Sequence, residues 1–264
     1  MCVSLDMRRM HRVLRVDRRS FTAQIEAGIF GPDLEEQLSA HGMTLGHFPD
    51  SFLHSTLGGW IATRSAGMQS DKYGKIAIRM ASPAGVLQTR IVPKASNGID
   101  VNHLCIGSEG TLGVITEATM RVHALPESRQ VRGYLFPEFA GGSEAIYQCA
   151  SQECMPAMVR LNDPDKTALS LAFRPLPSGF TKIAGSLLKT YLRVKGFAQP
   201  RACLMLIAFE GSARAVSWRL QQAEAIYRKC GAVGLGEGAG KSFETTKYDF
   251  PYIRDYLLAM SPPT

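Results

Sequence analysis

An α+β protein is what this sequence predicts, and three observations predict it. Strand-type and helix-type segments alternate through the second half of the chain, so a sheet carrying helices is expected there. The first half reads as strands and loops, with two glycine- and hydroxyl-rich stretches about fifty residues apart. The composition is globular, with 45% hydrophobic and 20% charged residues in a chain of 264. That balance argues against wholesale disorder and against a fibrous fold. No run approaches the roughly 18–20 consecutive apolar residues of a membrane helix. The first residues also lack the apolar core of a signal peptide, so neither feature is expected.

Taken in order, Val3-Ser4-Leu5 is expected as a short strand and Val13-Leu14-Arg15-Val16 as a second. Asp17 to Ser20 is a turn, and Phe21 to Glu26 alternates as a strand does. Gly31-Pro32-Asp33 opens a helix, with Pro32 suited to the first turn, Leu34 and Leu38 on one face and Gly42 as the stop. Residues 46–74 interleave five glycines with serines and threonines and are expected as loop. Ile76–Met80 and Val86–Ile91 form a hairpin around Ser82-Pro83-Ala84-Gly85, followed by a polar loop over Lys94–Asp100. Gly107–Gly113 is a second glycine-rich loop, leading into a β segment from Val114 to Val122.

Pro126 to Arg129 reads as a domain boundary. Beyond it come a strand at Tyr134–Phe136, a helix at Gly142–Glu153, a strand at Ala157–Leu161 and a helix at Asp163–Phe173. A strand at Ala202–Phe209 and a long helix at Ala213–Lys229 follow, the latter with Val216, Leu220, Ala223 and Tyr227 on one face. The helices are expected on one side of the sheet. Gly231–Gly240 is expected as a loop and Tyr252–Leu258 as a helix. Phe180–Phe197 is an amphipathic helix edged by Lys182, Lys189, Arg193 and Lys195. Its apolar stripe suits an anionic membrane surface, an acyl tunnel or the protein's own core.

Six cysteines form no Cys-x-x-Cys pair, and only Cys149 and Cys154 are near neighbours. Reduced thiols are expected rather than a zinc site or a disulfide framework. All six histidines lie at or before His123. Arg8, Arg9, Arg12, Arg15, Arg18 and Arg19 make the first segment basic. Asp6 and Asp17 and the strand-like pattern argue against a transit peptide there. The formal charge of +7 is compatible with a phosphorylated substrate or a membrane lipid. Nucleic acid is not expected, because no recognised binding motif accompanies the charge.

Glycine lets backbone amides approach a ligand closely, and small hydroxyls add donors without bulk. The two loops therefore suit a phosphate-bearing cofactor, although ordinary turns between strands would look the same. Neither Gly-x-x-x-x-Gly-Lys-Ser/Thr nor Gly-x-Gly-x-x-Gly is present. The stretch Phe48 to Met68, with Ser55-Thr56-Leu57-Gly58-Gly59-Trp60, Thr63-Arg64-Ser65-Ala66-Gly67 and then Asp71-Lys72-Tyr73-Gly74, decides more. It resembles the central flavin segment of the alkyldihydroxyacetonephosphate synthases. Gly107-Ser108-Glu109-Gly110-Thr111-Leu112-Gly113-Val114-Ile115-Thr116 resembles the second flavin loop shared by all vanillyl-alcohol-oxidase-type FAD proteins. That motif implies the fold and not the reaction. Pro156–Leu161 and Tyr252-Ile253-Arg254-Asp255 agree with the synthase likeness, which runs from about Val3 to Leu258.

The resemblance implies a PCMH-type FAD-binding domain over residues 1–126, represented by its second part only, and an incomplete α+β substrate (cap) domain of the FAD-linked oxidase C-terminal type over 127–264. It implies FAD as cofactor and no metal. The reaction implied is exchange of the acyl group of acyl-dihydroxyacetone phosphate for a long-chain fatty alcohol, which makes the ether bond of ether lipids. Flavin acts there as nucleophile and electron sink without net redox. Carried over residue by residue, cofactor contacts fall on Asp50, Ser51, Phe52, Leu53, His54, Ser55 and Thr56, then on Thr63, Arg64, Ser65 and Ala66. A third group is Glu109, Gly110, Thr111, Leu112, Gly113, Val114 and Ile115. His54 is taken as a contact and not as a catalyst. Arg160 matches an arginine needed for activity, and Arg254 matches one assigned to the substrate, where a guanidinium suits a phosphate. On the residues alone, Arg254 with Asp255 also reads as a surface ion pair and Arg160 as a structural partner of Asp163.

Against the family pattern, a Pro-x-Gly-Gly-Gly-Thr-Ser-type loop is expected upstream of Val3. About five residues are missing near Ile76 and Ala77, and a catalytic tyrosine and a histidine cluster are expected beyond Arg254. The chain is thus expected to be a piece of such an enzyme, truncated at both ends, binding FAD weakly and turning over poorly. Two other readings stand beside it: an FAD-dependent oxidoreductase of 2-hydroxy acids, and a non-catalytic remnant or subunit. Peripheral membrane contact, a homodimer and a cytoplasmic location (peroxisomal in a eukaryote) complete the expectations.

Overall fold

The computed structural model describes residues 4–67, 77–82, 84–91, 98–172 and 201–248. The chain forms two units, residues 1–125 with 246–264, and residues 126–245. Residues 246–248 group with the first unit although the second lies between them and it in sequence.

The first unit is built on an antiparallel sheet of five strands. These are β1 (Val13–Asp17), β2 (Thr22–Glu26), β4 (Ala77–Ser82), β5 (Gly85–Gln88) and β6 (Val114–Arg121), in the order β1-β2-β6-β4-β5. The short strands β3 (Met43–Thr44) and β7 (His123–Ala124) pair separately. Ala23 and Ile25 of β2 and Ala118 and Met120 of β6 alternate inward, as period-2 patterning requires. They pack with Leu34 and Leu38 of α1 (Gly31–Ser39) and with Leu57, Trp60 and Ile61 of α2 (Leu57–Ala62). Pro32 stands in the first turn of α1, and Gly42 takes a positive φ after its end.

Two sequence expectations fail here for identifiable reasons. Ser4 and Leu5 form no strand. Residues 57–62, read as loop because of Gly58 and Gly59, are helical. Gly58 favours the close packing, since a Cβ there would sit 3.0 Å from the Cβ and carbonyl oxygen of Ala27. The polar loop ends at Asp100, whose carboxylate accepts from the Asn102 amide and starts α3 (Val101–Cys105).

The second unit is a four-stranded antiparallel sheet ordered β11-β8-β10-β9. Its strands are β8 (Ser128–Phe136), β9 (Met158–Leu161), β10 (Cys203–Gly211) and β11 (Val233–Leu235). Met205, Ile207 and Phe209 of β10 face α4 (Phe139–Ser151) and α6 (Ala213–Lys229), burying Val216, Leu220, Ala223 and Tyr227. α6 spans the residues the periodicity predicts, capped by the Ser212 hydroxyl. α5 (Pro164–Ala172) likewise follows the prediction.

The expectation of helices on one side only is corrected. Leu204, Leu206 and Ala208 on the other face of β10 are equally buried. The reason is the run Gly231–Gly240, which is strand β11 followed by helix α7 (Gly236–Thr246) and not a loop. α7 lies close enough that a Cβ on Gly133 would be 2.6 Å from the Ala239 Cβ, and one on Gly240 would be 2.3 Å from the Val131 carbonyl oxygen. Its glycines permit this approach to the sheet, and so make the helix look like a loop. The expected helices at 180–197 and 252–258, the shortened segment near Ile76 and Arg254 lie outside the described residues.

Candidate functional site

The three predicted contact segments meet at α2. Residues 50–56 lead into it, residues 63–66 leave it, and the second glycine loop docks on its carbonyl end. The entry is tied down by hydroxyls: the Ser51 and Ser55 oxygens are 2.9 Å apart, and Trp60 Nε1 donates to Ser55 Oγ at 2.6 Å. Thr56 caps the helix by accepting from the Gly59 amide at 3.4 Å. The next amides are satisfied within the protein, Leu57 to the Ile29 carbonyl and Gly58 to that of Ala27. This helix start therefore holds the fold and does not present its first amides to a ligand.

The exit is a Schellman turn. Ser65 N–H donates to the Trp60 carbonyl at 2.8 Å, with Arg64 left-handed at φ 53° where glycine is usual. Ser65 Oγ lies 3.4 Å from His47 Nε2, and the His47 ring packs on Trp60 at 5.1 Å. The glycine loop then lays Gly107 N–H on the Ile61 carbonyl (3.0 Å) and Glu109 N–H on that of Ala62 (2.9 Å). Glu109 is also left-handed, at φ 49°. Two strained, non-glycine residues thus lie in adjoining turns, a pattern that concentrates at functional sites.

Within the predicted set, side chains divide by burial. Asp50, Ser51, Leu53, His54, Thr63, Arg64, Ala66, Glu109, Gly110, Thr111, Leu112 and Val114 are exposed, and Ser55, Thr56, Ser65 and Gly113 are half-buried. Phe52 and Ile115 belong to the core. The Phe52 ring stacks on Trp60 and on Tyr248, with centroids 6.1 Å and 5.5 Å apart, so it anchors its loop from below. Lys247 Nζ lies over the Phe48 ring at 5.6 Å. Tyr248 and Lys247 were not legible as site neighbours, since nothing in their local sequence points back to residues 48–52.

Ahead of this segment, Glu35 clamps the turn at 44–46. Its carboxylate accepts from Thr44 Oγ1 (2.7 Å), Leu45 N–H (3.1 Å) and Gly46 N–H (3.2 Å). Burial pushes its pKa up, against the pull of those three donors.

In the second unit, Arg160 is half-buried on edge strand β9, opposite Leu206. Among the described residues it makes no ion pair. Asp163 instead caps α5, accepting from the Lys166 amide at 2.7 Å. The structural pairing of Arg160 with Asp163 is thereby set aside.

Residues 1–82 match the family described as FAD binding domain, and residues 125–261 match FAD linked oxidases, C-terminal domain. The chain belongs to the FAD-linked oxidase family. Within it, the chain is 46% identical to an alkyldihydroxyacetonephosphate synthase of Dictyostelium discoideum, over 97% of this chain and 43% of that protein. It is 38% identical to one of Trypanosoma brucei brucei, over 98% and 43%. A D-lactate dehydrogenase of Anaerostipes hadrus is 34% identical over only 48% of this chain and 28% of its own. A solved alkyldihydroxyacetonephosphate synthase superposes with a TM-score of 0.83 at 46% identity, covering 96% of this chain and 47% of that one. The chain spans less than half the length of each of these relatives.

FAD is the cofactor of this family member, and the residues present fit it. Ser108 Oγ is buried and has no hydrogen-bond partner among the described residues. It sits beside Glu109 and Gly110 in the loop that the family likeness assigns to flavin. A Cβ on Gly110 would meet nothing within 4 Å, so the space beside its backbone is open. Ser108 is absent from the predicted contact set. The burial of its hydroxyl within an exposed loop is the signal, and it needs the fold to be seen.

Proposed function

We propose that this chain carries part of an FAD-dependent acyl-to-alkyl exchange on acyl-dihydroxyacetone phosphate, with a long-chain fatty alcohol as the incoming group. The observation that carries the reading is 46% identity sustained over 97% of the chain to an alkyldihydroxyacetonephosphate synthase, against partial coverage by the lactate dehydrogenases. When bound, FAD supplies a nucleophilic and electron-accepting centre without net redox. Ser108 Oγ would donate to the bound cofactor, which the 51–56 and 107–113 segments would hold around α2. Arg160, a half-buried guanidinium with no acidic partner among the described residues, suits the phosphate of the substrate. Arg254 is proposed as a second phosphate contact. Peripheral contact with a membrane through residues 180–197, a homodimer, and a cytoplasmic location (peroxisomal in a eukaryote) belong to the same proposal.

The test is a flavin titration of the purified chain followed by substrate addition. Loss of absorbance near about 450 nm with acyl-dihydroxyacetone phosphate, and not with lactate or glycolate, supports the exchange. Loss with the 2-hydroxy acids instead replaces it with an oxidoreductase. Incorporation of labelled fatty alcohol into an ether product is the direct readout.

A further inference from the structure

The turn between β1 and β2 is shaped by groups other than its most conspicuous residue. Asp17 Oδ1 accepts from the Arg19 and Ser20 amides at 2.9 and 3.3 Å, and the Ser20 and Thr22 hydroxyls lie 3.2 Å apart. Phe21 contributes its carbonyl, which accepts from the Val122 amide at 2.9 Å. Any residue could do that. Yet Phe21 holds φ 52° and leaves its side chain 46% exposed. A bulky aromatic in the left-handed region is a genuine outlier, and here it leaves nearly half of its surface to solvent.

Cations surround it. Arg18 and Arg19 are exposed in the turn, and Arg15 lies on the outward face of β1 opposite Gln24. Arg121 stands at the same end of the sheet, across from Thr22. Among the described residues none of the four makes an ion pair. Asp17, the one acid in the turn, is engaged with backbone amides. The tip is therefore a projecting ring set among four guanidinium groups, of which only Arg15 has a nearby carboxylate, that of Asp17.

We propose that this turn docks the protein on an anionic membrane surface, with the Phe21 ring entering the headgroup boundary and Arg15, Arg18, Arg19 and Arg121 meeting lipid phosphates. Ring and cations divide the work as interfacial anchors do, burying apolar area while the charges stay at phosphate level. Single-stranded nucleic acid fits less well, because it needs several aromatic rings along a cationic groove, whereas this is one ring on a convex tip. The proposal goes beyond the reaction argued above. It is tested with neither flavin nor substrate, so the two fail separately.

The experiment is co-sedimentation of the full chain with vesicles of phosphatidylcholine alone and of equal parts phosphatidylcholine and phosphatidylserine. Binding is expected to the mixed vesicles only, weakening as salt rises. Phe21→Asn suits the left-handed backbone and should lower vesicle affinity about tenfold with an unchanged or higher melting temperature. Arg18→Gln with Arg19→Gln should lower it at least as much, at about a fewfold per charge removed. Phe21→Trp should keep binding, shift its emission to the blue on vesicles and be quenched by brominated lipid. No binding to mixed vesicles, equal binding to neutral ones, or wild-type affinity in both variants overturns the proposal. So does retention of single-stranded RNA that the same variants abolish while vesicle binding persists.

Discussion

Ser108 carries a hydroxyl that the fold buries and leaves without a described partner, which is unfavourable unless something else completes it. Ser108→Ala is therefore expected to weaken flavin binding about five- to tenfold, the worth of one hydrogen bond. Without flavin the variant should be no less stable than wild type, and fluorescence titration with thermal unfolding measures both. A merely structural hydroxyl would give the opposite pattern. Glu35 makes a second case. Its folded pKa lies above the ordinary glutamate value because burial outweighs its three donors. A carboxyl that binds its proton more tightly when folded contributes fully below about pH 4.3, and that contribution is lost as pH rises through the folded value. Wild type should therefore lose stability relative to Glu35→Gln as pH rises from about 4.3 through the raised folded value, measured in denaturant titrations. A relative gain would refute the assignment. The candidate contact segments are legible as residue types, because hydroxyls and glycines cluster visibly. Their division into exposed donors and the buried anchors Phe52 and Ile115 is not, since burial depends on partners as remote as Tyr248.

At the level of elements, α2 organises the site although the sequence hides it. A six-residue helix containing two adjacent glycines has poor intrinsic propensity, so local reasoning favours a loop. Tertiary packing reverses that, because Gly58 lets the helix lie against Ala27. Substituting Gly58→Ala should therefore destabilise by about 1–3 kcal/mol despite alanine's better propensity. Circular dichroism melting will check the sign, and a stabilised variant would remove the packing argument. α7 is hidden in the sequence for the same reason, its glycines serving close approach to β8. By contrast α1, α5 and α6 have amphipathic spacing and conventional starts, and their sequences mark them within a residue or two. Elements defined by periodicity are visible locally, and elements defined by close packing are not.

Across the whole molecule, the two hydrophobic cores share no residue. Truncating Phe209→Ala should cost about 3–5 kcal/mol. Faster amide exchange should be concentrated in residues 126–245, measured by hydrogen exchange with mass spectrometry. Equal acceleration in the sheet of the first unit would contradict separate cores. The α+β class and the alternation of the second half were readable, because each strand and helix there announces its own period. The path of the chain was not. It leaves the first unit after Leu125 and rejoins it at Thr246, so the second unit is an insertion within the first. That return has a consequence for synthesis on the ribosome. The Phe52 ring finds Tyr248 only after roughly two hundred further residues have been added, a long closure whose entropy grows slowly with length. The aromatic floor beneath the 50–56 loop is thus completed last. A nascent chain stalled before residue 246 would hold the sheet, α2 and both glycine loops, and would still lack the ring that seats the first of them.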